Sequence, residues 1–322
     1  MSSVDTRREF LFKTASGAVV LASPAIVCGS ARAASDYPSQ DLTWLVHNSP
    51  GGVIDNTTRV LQTSLEKYGF KSSIDYARGA SGRIARAKLY RAKPDGYTIM
   101  TDTIPDGAIG EVIYHGQYKI SEFEPIIGWY SNSFGLIVQP KSPLQTLGDF
   151  VKAARSGRVT VATFGKGSAA HLQMALLRNK YKLNIQFVHF DGGARAVAAV
   201  LGGHVQSGIV GTTLAAGDTL KALAVFRDKR DPLLPKTATS AEQGYPVLSM
   251  NQIVYADAGP RVPSDRLAKL RGAFAKALAD PAQIAQQKKV NVEVVPITSE
   301  ELKKLSNTAL DVVNEYKKEL AE

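Results

Sequence analysis

At 322 residues the chain has room for one large or two ordinary domains, and 44% hydrophobic against 21% charged residues marks a globular rather than a disordered sequence. A formal charge of +10 would suggest nucleic acid in the cytosol, but the basic residues are scattered and the N-terminus carries an export signature; nucleic acid is excluded as a partner, leaving a solvated basic surface or a field that steers anionic solutes. A single cysteine excludes a disulfide framework and a thiolate metal site.

Residues 1–33 read as a twin-arginine signal peptide. Thr6-Arg7-Arg8-Glu9-Phe10-Leu11-Phe12-Lys13 precedes an uncharged run over 14–31, rich in Ala, Ser and Gly and broken by Pro24. Ala31-Arg32-Ala33 then offers small residues where a signal peptidase reads, so cleavage is expected near Ala33 and the mature protein in the periplasm. The leader carries a net +2, which leaves about +8 on the remainder. A membrane anchor is the first alternative, but the run is weakly apolar and a span wants about 20 predominantly apolar residues. A lipoprotein is the second, but Val27 before Cys28 is larger than the small residue that lipid attachment requires.

From Tyr37 onward, short β-like runs alternate with amphipathic helix patterns. A strand over 42–46 leads through the turn Asn48-Ser49-Pro50-Gly51-Gly52 into a helix over 55–68. A strand over 72–76 leads through Arg78-Gly-Ala-Ser-Gly82 into a helix over 82–92, and strands over 97–101, 126–130 and 134–138 follow. After a helix over 147–154, the first layout returns: a strand over 159–162, the turn Phe164-Gly165-Lys166-Gly167-Ser168 and a helix over 169–179. Then come a strand over 185–189, the turn Asp191-Gly-Gly193, a helix over 194–201, a strand over 207–210 ending in Gly211-Thr212-Thr213, and a strand over 223–226. Helices over 265–278, 281–288 and 299–320 close the chain.

Such alternation predicts α/β units on largely parallel sheets. The runs 126–138, interrupted only at Ser131-Asn132-Ser133, and 247–256 are expected to cross between two sheets. Residues 37–137 plus 248–322 then form one domain and 138–247 the other, with the two crossings as a hinge.

The repeated layout carries the functional argument. Free N–H groups and the positive end of the macrodipole at a helix start attract anions, and glycines let a ligand approach the backbone. Two such starts facing one another would clamp a small carboxylate. Candidate ligand contacts are therefore Asn48, Ser49, Gly51, Gly52 and Asp55 at the first start and Gly165, Lys166, Gly167, Ser168 and His171 at the second, with Asp55 and Ser168 placed to cap. Arg83, Asp191 and Thr212 belong to turns that could complete the rim; a guanidinium at 83 would pair bidentately with a carboxylate, or remain a solvated first-turn arginine. Gly165-Lys-Gly-Ser168 lacks both the opening glycine and the hydroxyl residue after the lysine of a phosphate loop, so nucleotide is not expected. Ser168 and His171 could be paired as nucleophile and base, but no Gly-x-Ser-x-Gly elbow surrounds the serine. The five histidines show no metal-ligand spacing, so neither metal nor other cofactor is expected.

Pro50-Gly-Gly-Val-Ile-Asp55, Arg78-Gly-Ala-Ser-Gly82, Lys93-Pro-Asp-Gly-Tyr-Thr98, Gly165-Lys-Gly-Ser-Ala-Ala-His-Leu172, Gly192-Gly-Ala-Arg-Ala196 with Leu201-Gly-Gly203, and Leu234-Pro-Lys-Thr-Ala-Thr-Ser-Ala-Glu-Gln-Gly-Tyr-Pro246 stand in a telling order. In that order they resemble the Bug-type, TctC-like solute-binding proteins of tripartite tricarboxylate transporters, over essentially the whole chain after the leader. The resemblance implies an α/β, two-domain Venus-flytrap protein of the periplasm. Its loops around Ser49, Gly51, Gly52 and Asp55, and around Gly165, Ser168, His171 and Asp191, would hold a carboxylate through backbone amides and ordered water. It further implies a non-enzymatic monomer that delivers a small organic anion, a di- or tricarboxylate or an aromatic acid, to a membrane permease. A sensory ligand-presenting protein and a Ser168–His171 hydrolase are the alternatives. The chain departs from the family pattern at His47-Asn48-Ser49, at Ala77-Arg78 and at Arg83, toward a more anionic or more hydroxylated solute.

Overall fold

The computed structural model describes residues 36–320; the expected signal peptide and its cleavage point near Ala33 lie outside the described residues. The strands are β1 (Leu42–Val46), β2 (Ser72–Tyr76), β3 (Thr98–Ile104), β4 (Glu124–Asn132), β5 (Phe134–Val138), β6 (Val159–Thr163), β7 (Ile185–His189), β8 (Ser207–Gly211), β9 (Lys221–Phe226) and β10 (Gln252–Ala258). The helices are α1 (Val53–Glu66), α2 (Arg83–Tyr90), α3 (Asp106–Val112), α4 (Leu147–Ser156), α5 (Ala169–Tyr181), α6 (Gly193–Leu201), α7 (Thr212–Ala215), α8 (Ser264–Ala279), α9 (Pro281–Lys289), α10 (Ser299–Glu315) and α11 (Lys317–Leu320).

Two five-stranded sheets share one plan, β2-β1-β3-β10-β4 and β7-β6-β8-β5-β9. In each, three strands run parallel, as short apolar runs joined by helices require. The fourth strand is antiparallel to both neighbours, so each sheet is mixed: four strands point one way, as expected of a largely parallel sheet, and β10 or β5 alone runs against them. The cause is the double crossing. Ser133 alone separates β4 of the first sheet from β5 of the second, and the chain returns after β9 to insert β10 between β3 and β4. Residues 134–137, expected on the first side of the crossing, therefore pair in the second sheet with β8 and β9.

Each sheet is covered on both faces, as a largely buried sheet demands. Trp44 of β1, fully buried, packs on Phe274 of α8 with ring centroids 5.4 Å apart. On the opposite face, Leu172, Ala175 and Leu176 of α5 join the apolar cluster built from the first sheet, α3 and α10, so the two halves share hydrophobic contact outside the cleft. The expected helix over 299–320 is two helices, because Tyr316 leaves helical geometry with φ −98° and ψ 15°.

Candidate functional site

The loops that follow the parallel strands of both sheets meet over one cleft, where ligands of open α/β sheets bind. It holds two cavities of about 480 and 320 Å³ that share Asn48, Phe164, Asp191, Gly192 and Gln252. The loops pair diagonally. The loop after β1 meets the loop after β7, where Ser49 Oγ donates to Asp191 Oδ2 at 2.9 Å; Arg78, from the loop after β2, reaches the same oxygen only at 3.6 Å. The loop after β2 meets the loop after β6, where Ser81 Oγ donates to the Lys166 carbonyl at 2.7 Å.

This pairing decides which helix starts confront one another. The expected partners were α1 and α5. Instead Gly52 before α1 and Gly192 before α6 both line the larger cavity, and neither carries a side-chain cap, so first-turn amides stay open at both. The start of α5 is already satisfied from within the protein: Ser168 Oγ accepts from His171 N, and the Ala169 amide donates to Asp106 Oδ1 of the opposite half. Asp106 is 3% exposed and its other oxygen accepts from Thr103 Oγ1 at 2.6 Å and Gln252 Nε2 at 2.9 Å. Burial raises its pKa above the ordinary carboxylate value, against the pull of Arg86 and these donors.

Of the residues singled out in the sequence, Asn48, Ser49, Gly51, Gly52 and Asp191 line the larger cavity, and Arg83, Gly165, Lys166 and Ser168 the smaller, which also takes in Asn48 and Asp191. Asp55, Gly167, His171 and Thr212 line neither. Asp55, 1% exposed, turns away to accept from the Gly51 amide at 2.8 Å and from Tyr76 OH at 2.6 Å, which shapes the turn instead of touching a solute. Thr212 donates to Asp231 Oδ2 at 3.0 Å, while its neighbour Thr213 lines the larger cavity. Gly167 has φ +79°, and a Cβ there would stand 2.4 Å from Tyr114. His171 Nδ1 accepts from the Gly167 amide at 3.2 Å.

Asn132 and Gln252, which line the floor, sit opposite one another in the β4–β10 pairing. Sequence reasoning missed both because they lie in the segments read as connections. The polar Ser131-Asn132-Ser133 break was the one available signal. Among the described residues, no three His, Cys, Asp or Glu side chains come together as a metal-binding group, and no helix is long and apolar enough to cross a membrane.

His171 also gives the fold a pH dependence. Burial, with His189, Arg178 and Lys166 nearby, lowers its pKa from 6.5 to about 3. A depressed folded-state pKa means stability that is present above the unfolded value and lost as pH falls from about 6.5 toward about 3. Between pH 7.5 and 5 the wild type should lose about 2 kcal/mol more than His171→Asn in urea unfolding. Equal losses would mean that the imidazole is not held neutral.

The family model described as "Tripartite tricarboxylate transporter family receptor" matches residues 57–320. BugT of Bordetella pertussis is 30% identical over 224 residues, 66% of this chain and 68% of that protein. The structure of the periplasmic binding protein BugD superposes with a TM-score of 0.80 at 25% identity, over 89% of this chain and 99% of that one. Rpa4515 of R. palustris, solved with adipate, has a TM-score of 0.80 at 24% identity, over 88% of this chain and 98% of that one.

Proposed function

Since the chain belongs to the tripartite tricarboxylate transporter receptor family, we propose that it is a periplasmic solute-binding protein that captures a small organic carboxylate and passes it to a membrane permease of that transporter class. One observation carries the reading: two uncapped helix starts, one from each half of the fold, line a single cavity. Open amides and aligned dipoles converge there on the space a carboxylate would fill. That a structural neighbour holds adipate in the same fold supports it.

The two crossings, near Ser133 and over 227–251, serve as a hinge, and the solute favours the closed form by contacting both halves at once. The region around Ser168 favours binding over chemistry. Ser168 Oγ donates to the Gly165 carbonyl at 2.8 Å, and the imidazole of His171 is occupied by the Gly167 amide, so the pair lacks the hydrogen bond of a nucleophile with its base.

The test is thermal denaturation against a panel of mono-, di- and tricarboxylates and aromatic acids, each beside its methyl ester. A true solute at about 100 times its Kd should stabilise the protein by about 2.7 kcal/mol and its ester should not. The same preparation, expressed from the whole sequence in a bacterial host, should come from the periplasmic fraction with its N-terminus near Ala34. Stabilisation by ester and acid alike, or by none of the acids, would overturn the reading.

A further inference from the structure

Three residues that line the smaller cavity each carry a buried polar atom without a hydrogen-bond partner: His47 Nε2, Asn48 Oδ1 and Arg83 Nη1. Buried polar groups are nearly always bonded, so three in one wall mark a place where something outside the chain supplies the partners. Arg83 is the charged member. It opens α2, and its guanidinium lies 4.3 Å from the centroid of the Tyr114 ring, which steadies it without neutralising it. One turn further along the same helix, Arg86 takes Asp102 as its partner, whereas Arg83 has no carboxylate partner among the described residues.

The two carboxylates that share the cavity are committed elsewhere. Asp106 is saturated by Ala169, Thr103 and Gln252, and Asp191, though partly exposed, is engaged by Ser49 and Arg78. Across both cavities, the four cations Arg78, Arg83, Lys166 and Arg195 face those two carboxylates, a surplus of two positive charges. His47 adds none, since burial, then Arg86, lowers its pKa to about 4. One carboxylate at the starts of α1 and α6 would leave half of the surplus unmatched.

Resting on the receptor reading above, we propose that Arg83 makes the smaller cavity a second anion subsite. The solute is then a dianion that reaches from one cavity into the other, and Arg83 is the residue that selects diacids over monoacids. The cavities meet at Asn48, Phe164, Asp191, Gly192 and Gln252, so an aliphatic chain between the two carboxylates runs past Phe164. A guanidinium in a cavity is the group best suited to the second carboxylate, because it can donate two parallel hydrogen bonds.

Calorimetric titration of the full chain with succinate, glutarate and adipate, each beside the monoacid of equal length (butyrate, valerate, hexanoate), tests this. In the wild type the best diacid should bind at least about tenfold tighter than its monoacid, the scale of one charge-assisted hydrogen bond. Arg83→Gln should collapse that ratio to about threefold or less, while Arg83→Lys, which keeps the charge without the fork, should retain part of it. Melting temperatures of both variants, taken without ligand, report whether the fold is kept. A wild type that binds diacid and monoacid equally, or an Arg83→Gln that keeps the full ratio, would overturn the subsite and leave the receptor reading standing. If none of the six binds the wild type while a tricarboxylate or an aromatic acid does, the subsite falls and the receptor reading stands; if no acid of either panel binds, both fall.

Discussion

Replacing Arg86 with methionine should destabilise the protein by about 3–5 kcal/mol, the range for breaking a buried ion pair from one side. Arg86 and Asp102 are both fully buried. Nε stands 2.8 Å from Oδ1 and 3.1 Å from Oδ2, Nη2 reaches Oδ1, and Nη1 donates to the Ser81 carbonyl at 2.9 Å. Burial pulls the guanidinium pKa down, but Asp102, Tyr118 and Asp106 together outweigh it and the net direction is upward, so the guanidinium keeps its charge in the fold. Methionine fills similar space and leaves the Asp102 carboxylate without its counter-charge. Urea unfolding at pH 7 measures the loss, and Arg86→Met with Asp102→Leu should recover much of it, because the uncompensated charge is then gone. A loss below about 1 kcal/mol for the single variant would mean that the pair contributes little beyond packing. Binding should weaken as well. Arg86 holds the carbonyl of Ser81, which sits at φ +52° and reaches across the cleft to Lys166.

The sequence made the repeated strand–turn–helix units legible because apolar runs and glycine turns are local signals. Leu42–Val46 and Ile185–His189 fall where they were expected. What it hid depends on contacts between distant segments. β10 reads as a connection because Gln252–Ala258 earns its strand by filling the slot between β3 and β4. Asp106–Val112 carries two glycines and little helix propensity, and it is helical in a place built by the first sheet. The site divides in the same way. Gly51, Gly52 and Gly165 line the cleft because their conformational freedom announces the turn, whereas Asp55 and His171 were nominated for their position at a helix start, which says nothing of where a side chain goes. The diagonal pairing of loops, and with it the choice of α6 over α5 as the partner of α1, follows from how the two halves are set against each other. Local sequence does not encode that arrangement.

Gly52→Val should cut carboxylate affinity by about 100-fold or more, equivalent to about 2.7 kcal/mol, while the ligand-free protein melts within a few degrees of the wild type. Gly52 has φ −75° and ψ 167°, extended backbone that any residue adopts. A Cβ there would meet only the Ser49 carbonyl oxygen at 3.4 Å, an ordinary contact, so the fold accepts a side chain. The residue immediately precedes α1 and lines the larger cavity, so an isopropyl group would compete with the solute for the space before the open first-turn amides. Gly167→Val is the instructive contrast. Its positive φ and the 2.4 Å approach to Tyr114 put strain into the turn itself, so that variant should lose stability before it reports on binding. Affinity at low and high salt separates the clamp from a diffuse basic surface: long-range attraction between exposed charges is screened away, whereas amides in a closed cleft keep their grip. Wild-type affinity in Gly52→Val would place the carboxylate away from the α1 helix start, and the larger cavity would then need another occupant.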